Sequence, residues 1–277
     1  MMTSTLAPVG ATTLLHPNNS IRILNKKGEL LYRAGTTMEY VSPTITQQER
    51  QYAEQLHEIA WRVADFVWDR FHECGIDGKG FIPKFVIGSA DGSTSYSLSC
   101  LGRSSAEFNF ANGDILNEVV AHEYMHGIVS WLNPLEYQGE SGALNESLAD
   151  VFGIVFKQSL GATDWRLKNY RDISQPPRLF QRDEEPNQQN DFGHVHDNSC
   201  ILSHGFYRIA MRTKDYDPGF KTLLKIWWVA LKDLRNEEKN FKGFVNKTIE
   251  VAEKVANKRY QEEVNKGWED AHTLKML

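Results

Sequence analysis

The chain is expected to fold as an α+β protein of two lobes, an N-terminal mixed α/β lobe and a C-terminal all-α lobe. Three observations predict this. The first half alternates helical and β-type patterns. The text after Ser199 is helical almost to its end. A length of 277 residues is enough for two lobes sharing a cleft.

The elements follow in order. Residues 1–40 are mixed, with β-type pieces at 21–24 and 29–33 around Lys27-Gly28, and read as an extension, a short prosegment or a small strand pair. Ser42-Pro43 carries a helix-start signal, a capping side chain and then proline. Tyr52, Leu56, Ile59, Val63, Phe66, Val67 and Phe71 then recur at helical spacing up to Cys74-Gly75. Residues 81–88 and 94–110 hold short β-type runs broken by Gly, Ser and Asp, which predict a small sheet. A second helix is expected from Asp114 to Leu132, where Asn133-Pro134 stops it. A third covers about 142–160. Residues 176–198 form a polar, proline-containing loop. Beyond it, residues 223–234 are strongly apolar and 244–256 amphipathic. The expected organisation is an N-terminal piece at 1–40, an α+β lobe at 41–133 and a helical lobe at 134–277.

Composition narrows the class. Apolar residues make up 41% and charged residues 24%, as in a soluble globular protein. A net charge of −5 favours neither nucleic acid nor an anionic membrane as partner. No run reaches the roughly 18 apolar residues of a membrane span. Three cysteines, Cys74, Cys100 and Cys200, form neither a disulfide framework nor a CxxC knuckle. The first twenty residues lack a basic start and an apolar core, so no signal peptide is expected, and the chain is placed in the cytoplasm or on a non-classical export route. Nothing in the sequence speaks to oligomeric state.

The chemistry is concentrated in two stretches. Residues 122–127 read HEYMHG, an HExxH motif. On a helix, His122 and His126 lie one turn apart on one face and can reach one metal ion, while Glu123 sits about 100° round the helix, placed to act as a general base on water. The bland alternative is two satisfied histidines on a half-buried helix. Against it stands the stretch 136–153, EYQGESGALNESLADVFG, in which Asn145, Glu146 and Asp150 interrupt an apolar helix. Catalytic zinc takes three protein ligands and one open position, and Glu146 can complete a His2Glu set. Asp150, one turn beyond Glu146, can hold a ligand histidine by its other ring nitrogen.

These two stretches together resemble the thermolysin family of zinc metallopeptidases. Nineteen residues separate His126 from Glu146, as in that family, whereas the related aminopeptidase group uses one fewer. The similarity extends through Ile76-Asp77-Gly78-Lys79-Gly80, through Arg171-Asp172-Ile173-Ser174, through 191–199 and into the terminal helices. It implies a thermolysin-like two-lobed fold with one catalytic Zn2+ in the cleft and a protein or peptide substrate. The implied activity is endopeptidase hydrolysis by a metal-activated water, with Glu123 as base. Tyr137 and His196 match the family's donors to the oxyanion, Asp191 the acid that orients that histidine, and Arg171 the arginine that grips a substrate carbonyl. Asn145 and Asp150 match supports of the ligand histidines. Val119, Leu167 and Tyr170 match the lining of the pocket beyond the scissile bond, implying an apolar residue on the leaving side.

The departures carry expectations of their own. The asparagine-rich substrate strand of the family is replaced by Ser95-Tyr96-Ser97-Leu98-Ser99-Cys100-Leu101-Gly102. The family's paired calcium site keeps Glu118 and Asp164, but Lys157, Arg166 and Asn169 replace three of its other positions. Cationic side chains cannot ligate calcium, so this site is expected to be absent, with Glu118 facing Lys157. The short N-terminal piece resembles the protealysin-like branch. Two rival functions are a non-catalytic zinc protein that uses the same fold to bind a partner, and an exopeptidase.

Overall fold

A computed structural model describes residues 21–25, 30–34, 38–40, 45–81, 83–88, 94–98, 106–175 and 185–271. The readings made for residues 1–20, 99–102 and 176–184 lie outside them. Three strands come first, β1 (Ile21–Asn25), β2 (Leu30–Ala34) and β3 (Met38–Tyr40), and then the long helix α1 (Gln47–Phe71). Strands β4 (Lys84–Ile87), β5 (Ser95–Leu98) and β6 (Ala106–Phe110) lead into helix α2 (Asn117–Leu132) and helix α3 (Gly139–Ser159). A two-residue hairpin pair, β7 (Arg166–Leu167) and β8 (Arg171–Asp172), precedes α4 (Asp191–Thr213), α5 (Lys221–Asp233), α6 (Phe241–Val255) and α7 (Lys258–Asp270). The α+β architecture with a helical second half is therefore present.

The first six strands form one sheet in the order β3-β2-β1-β4-β6-β5. Strand β1 pairs with β4 in parallel, Arg22 opposite Lys84 and Asn25 opposite Ile87, and β4 pairs with β6 in parallel. A parallel pair needs a long crossover, and α1 lies within the one that joins β1 to β4. The sheet thus takes in residues on both sides of position 40. One apolar core then runs from Ala53 on α1 through Phe108 on β6 and Leu144 on α3 to Trp268 on α7.

Three helix starts differ from the sequence expectation, one of them in the stretch read as a polar loop to 198, where α4 already begins at Asp191 because Asn190 caps it through the Gly193 amide. The signal at Ser42-Pro43 lies outside the described residues, and α1 starts later, behind a capping box at Thr46. Its hydroxyl accepts from the Glu49 amide at 3.1 Å, and the Glu49 carboxylate accepts from the Thr46 amide at 3.0 Å. The second helix begins at Asn117 instead of Asp114, after a short 3-10 turn at Asn112–Asp114. The buried Asp114 carboxylate is used elsewhere: it accepts from Thr94 at 2.7 Å and from Tyr170 at 2.9 Å and pairs with Lys168. A side chain committed to three partners across the fold is not free to cap a helix.

Helices α2 and α3 are buried almost all round, α2 from Val119 to Val129 and α3 from Gly142 to Phe156. Glycine permits their close contact. A Cβ on Gly153 would lie 2.4 Å from the Glu118 carbonyl oxygen. From that contact the helices run as a seam: Glu118 meets Gly153, and His122, one turn on, faces Asp150 and Glu146. His126, a further turn on, meets Glu146 and Asn145.

Candidate metal centre

Within that seam the two imidazoles come together as their spacing requires. His122 Nε2 and His126 Nε2 are 3.0 Å apart. Glu146 Oε2 lies 3.5 Å from His122 Nε2, and Glu146 Oε1 lies 3.3 Å from His126 Nε2. All three residues are buried, and their donor atoms are mutually close enough to share one ion. A tetrahedral zinc ion with bonds of about 2.0–2.1 Å needs donors about 3.3 Å apart. The three separations bracket that edge, so the donor set fits zinc.

The ring nitrogens turned away from this point each lie close to an oxygen. His126 Nδ1 is 2.9 Å from Asn145 Oδ1, and His122 Nδ1 is 3.0 Å from Asp150 Oδ1. These acceptors hold the proton on Nδ1 and leave the Nε2 lone pair for a cation. Asp150 is itself completely buried and gripped by Arg171, whose Nε donates at 2.5 Å and Nη2 at 2.7 Å. Nη2 also reaches Glu146 Oε2 at 3.3 Å. Burial works against the charge of Asp150, but Arg171 and His122 hold its pKa below the usual carboxylate value.

The cluster is shaped for positive charge. Burial alone would raise the pKa of Glu146, yet His126, His122 and His196 hold it well below its ordinary value. Burial likewise opposes a charge on His126, but Glu146 lifts its pKa to about 9. A charged carboxylate beside two imidazoles forms a cation site, and the proton that Glu146 favours on His126 must leave when a metal enters. Glu123 differs: it is not among the three clustered donors, and burial pushes its carboxyl up, against the pull of His122 and His126.

Glu123 lines a cavity of about 530 Å3 together with all three metal-site residues, Tyr137, His196 and Asp191. Tyr137 Oη donates to Glu146 Oε1 at 2.5 Å and lies 3.4 Å from His196 Nε2. Burial and the nearby Glu146 carboxylate raise the Tyr137 pKa, so the phenol stays a donor. Both Asp191 oxygens are 2.9 Å from His196 Nδ1. The expected group of Glu123, Tyr137, His196 and Asp191 therefore lines the same cavity as the metal site.

Other expectations are placed differently. Val119 is buried on α2, and Leu167 is buried in a small satellite core with Ile154 and Ile173. Tyr170 is exposed, with its hydroxyl on Asp114. None of these three is among the residues lining the cavity. Sequence reasoning also missed Phe192, Thr94, Ser130 and Leu135, which do line it. Phe192 sits in a run of left-handed backbone from Asp191 to His194, where Gly193 and, more weakly, Asp191 and His194 are residue types that tolerate it.

The fold and the donor set define a metallopeptidase of the HExxH class with a downstream glutamate ligand. Comparisons with known proteins agree. A family model described as the alpha-helical domain of thermolysin metallopeptidase matches residues 133–272. An extracellular metalloprotease of Pectobacterium carotovorum subsp. carotovorum is 30% identical over 240 residues, covering 74% of this chain and 68% of that protein. A bacillolysin of Bacillus amyloliquefaciens is 25% identical over 256 residues, covering 84% of this chain and 47% of its own longer one. Among solved structures, the precursor of protealysin, a metalloproteinase from Serratia proteamaculans, superposes with a TM-score of 0.73 at 20% identity, covering 94% of this chain and 90% of that one. The chain belongs to the thermolysin family of metallopeptidases and is a zinc-dependent endopeptidase.

Proposed function

We propose that the chain hydrolyses internal peptide bonds with the following division of labour. His122, His126 and Glu146 hold the zinc ion. The bound ion supplies Lewis acidity, which makes water acidic near neutral pH and polarises a carbonyl. Glu123 takes a proton from the attacking water and returns it to the leaving amine, a role suited to a buried carboxyl of raised pKa. Tyr137 Oη and His196 Nε2 donate to the carbonyl oxygen as it becomes negative. With Asp191 accepting from Nδ1, donation from Nε2 uses the imidazolium form, and the Asp191 carboxylate balances its charge. Asn145 and Asp150 orient the ligand imidazoles. Arg171, anchored through Nε and Nη2, offers its remaining nitrogen to a substrate carbonyl on the leaving side. The apolar leaving-side preference is carried by the resemblance at Val119, Leu167 and Tyr170, of which Leu167 pairs with Arg171 across the β7–β8 hairpin.

The observation that carries this reading is the spacing of three donors at tetrahedral distance with both outward ring nitrogens fixed. Glu123→Gln is expected to retain the fold and one zinc per chain by metal analysis, while kcat on a peptide blocked at both termini falls at least about a hundredfold. A variant that cleaves normally overturns the base assignment. A wild-type enzyme that ignores blocked peptides but trims free ones is an exopeptidase.

The reading includes the loss of the family's double calcium site. Lys157 Nζ lies 2.8 Å from Asp164 Oδ1, 2.5 Å from the Arg166 carbonyl oxygen and 3.8 Å from Glu118 Oε1. An ammonium in that oxygen cage stands where a divalent cation would need room. With zinc supplied, millimolar calcium is expected to leave the melting temperature unchanged; a rise that Glu118→Gln abolishes would count against it. The substrate is a protein or peptide, and no helix among the described residues is long and apolar enough to cross a membrane.

A further inference from the structure

We infer that the Asp114–Lys168 ion pair is a positioning device for substrate binding, which ties the cavity wall at Thr94 to the β7–β8 hairpin that carries Arg171. This rests on the endopeptidase reading and adds two positioning residues to it.

Thr94 and Ser95 line the catalytic cavity. Ser95 opens β5, the last strand in the order of the sheet, which pairs with β6 and with no strand on its other side among the described residues. An edge strand has one ladder of hydrogen bonds instead of two, so side-chain anchors at its ends count for more. The anchor here is Thr94. Its hydroxyl donates to Asp114 Oδ2 at 2.7 Å and accepts from the Ala111 amide at 3.1 Å.

The same carboxylate holds the hairpin. Tyr170 Oη donates to Asp114 Oδ2 at 2.9 Å, and Lys168 Nζ donates to Asp114 Oδ1. The ammonium also stands 5.0 Å from the centroid of the Tyr170 ring. Lys168 takes left-handed backbone, φ 50°, at the first position of the turn, a conformation for which lysine has no preference. The Tyr170 amide, donating to the Leu167 carbonyl at 3.0 Å, and the pairing of Leu167 with Arg171 close the turn. Arg171 follows Tyr170 directly and grips Asp150 and Glu146. One carboxylate thus gathers side chains 20, 54 and 56 residues away.

The pair is largely enclosed, with the Asp114 side chain 8% exposed and that of Lys168 27%. Burial opposes the charge of Asp114, and hydrogen bonds from Lys168, Thr94 and Tyr170 hold its pKa below the usual carboxylate value. Without the ammonium, an enclosed carboxylate keeps two neutral donors and has no counter-charge, so it must draw in water or take up a proton. Thr94 and the hairpin then lose their common anchor. Neither Asp114 nor Lys168 lines the cavity or belongs to the metal cluster. The effect of breaking the pair therefore falls on binding and not on the chemical step.

The test is steady-state kinetics on a peptide blocked at both termini, with rates expressed per zinc-loaded chain. Lys168→Met is expected to raise KM about three- to tenfold and to leave kcat within about twofold of wild type, while Lys168→Arg keeps KM within about twofold. Asp114→Asn alone is expected to raise KM to a similar degree, and it tests the same joint if Lys168→Met does not fold. Combining Asp114→Asn with Lys168→Met is expected to raise KM no further, because the two residues act as a unit. An unchanged KM in the single variants, a loss confined to kcat, or additive increases in the double variant overturns the clamp and leaves the enzyme reading intact. No cleavage of any blocked peptide by the wild type overturns both.

Discussion

Asp150 shows how much a single side chain can carry. It is fully buried, orients His122 and neutralises Arg171, which is itself nearly enclosed. Converting it to asparagine keeps the shape but weakens the acceptor that fixes the His122 ring, and it leaves Arg171 without its main counter-charge. Zinc affinity of Asp150→Asn is expected to drop about 10–100-fold, read by competition with a chromophoric chelator. An unchanged affinity would mean that the ring is oriented by packing alone. The same reasoning separates Glu123 from Glu146. Both are buried acids, but Glu146 has cationic partners that hold it charged, while for Glu123 desolvation is the larger influence.

At the level of elements, the centre depends on how closely α2 and α3 approach. Gly153 and Glu146 lie two turns apart on one face of α3, and Gly153 touches the first turn of α2 at the Glu118 carbonyl. Gly153→Ala would place a methyl group 2.4 Å from that oxygen, and backbone cannot yield as a flexible side chain does. The helices must separate, carrying Glu146 away from the histidine pair. A loss of about 1–3 kcal/mol in unfolding free energy is expected, with weaker zinc retention, although residue 153 contacts neither the metal site nor substrate. Chemical denaturation and metal analysis of the same preparation would check both; unaltered zinc retention would show the seam to be more compliant than the contact implies. Helix spacing on each side of this seam was legible beforehand, because the period of 3.6 residues puts His122 with His126 whatever surrounds them. The left-handed turn at Asp191–His194 was not legible, since Phe192 has no preference for that backbone and four such residues in a row are rare. Hydrogen bonds with Asn187, Asn190 and Asn198, three to five residues away along the chain, hold it.

For the whole molecule, the question is whether the first forty residues are dispensable. Strand β1 pairs with β4, so β1–β3 make up half of a six-stranded sheet whose other half leads into α2. Removing residues 1–40 would expose the edge of β4. The truncated chain is expected to lose its cooperative thermal transition by circular dichroism, whereas loss of a removable prosegment would leave that transition intact. One core linking α1 to α7 makes the same point, for the two lobes share it and are not expected to melt separately.

The metal ligands, their base and their helices could be read from the chain alone because each relation is local: a turn of helix, a spacing, an acid where apolar residues surround it. Relations between distant positions needed the folded molecule. Asp114 is drawn from a helix cap to Lys168 and Tyr170, 54 and 56 residues away. Lys157 reaches Glu118 on the neighbouring helix, 39 residues away, at 3.8 Å. Each of these depends on which surfaces are pressed together once the apolar faces of the helices are buried, and no periodicity along a chain encodes that.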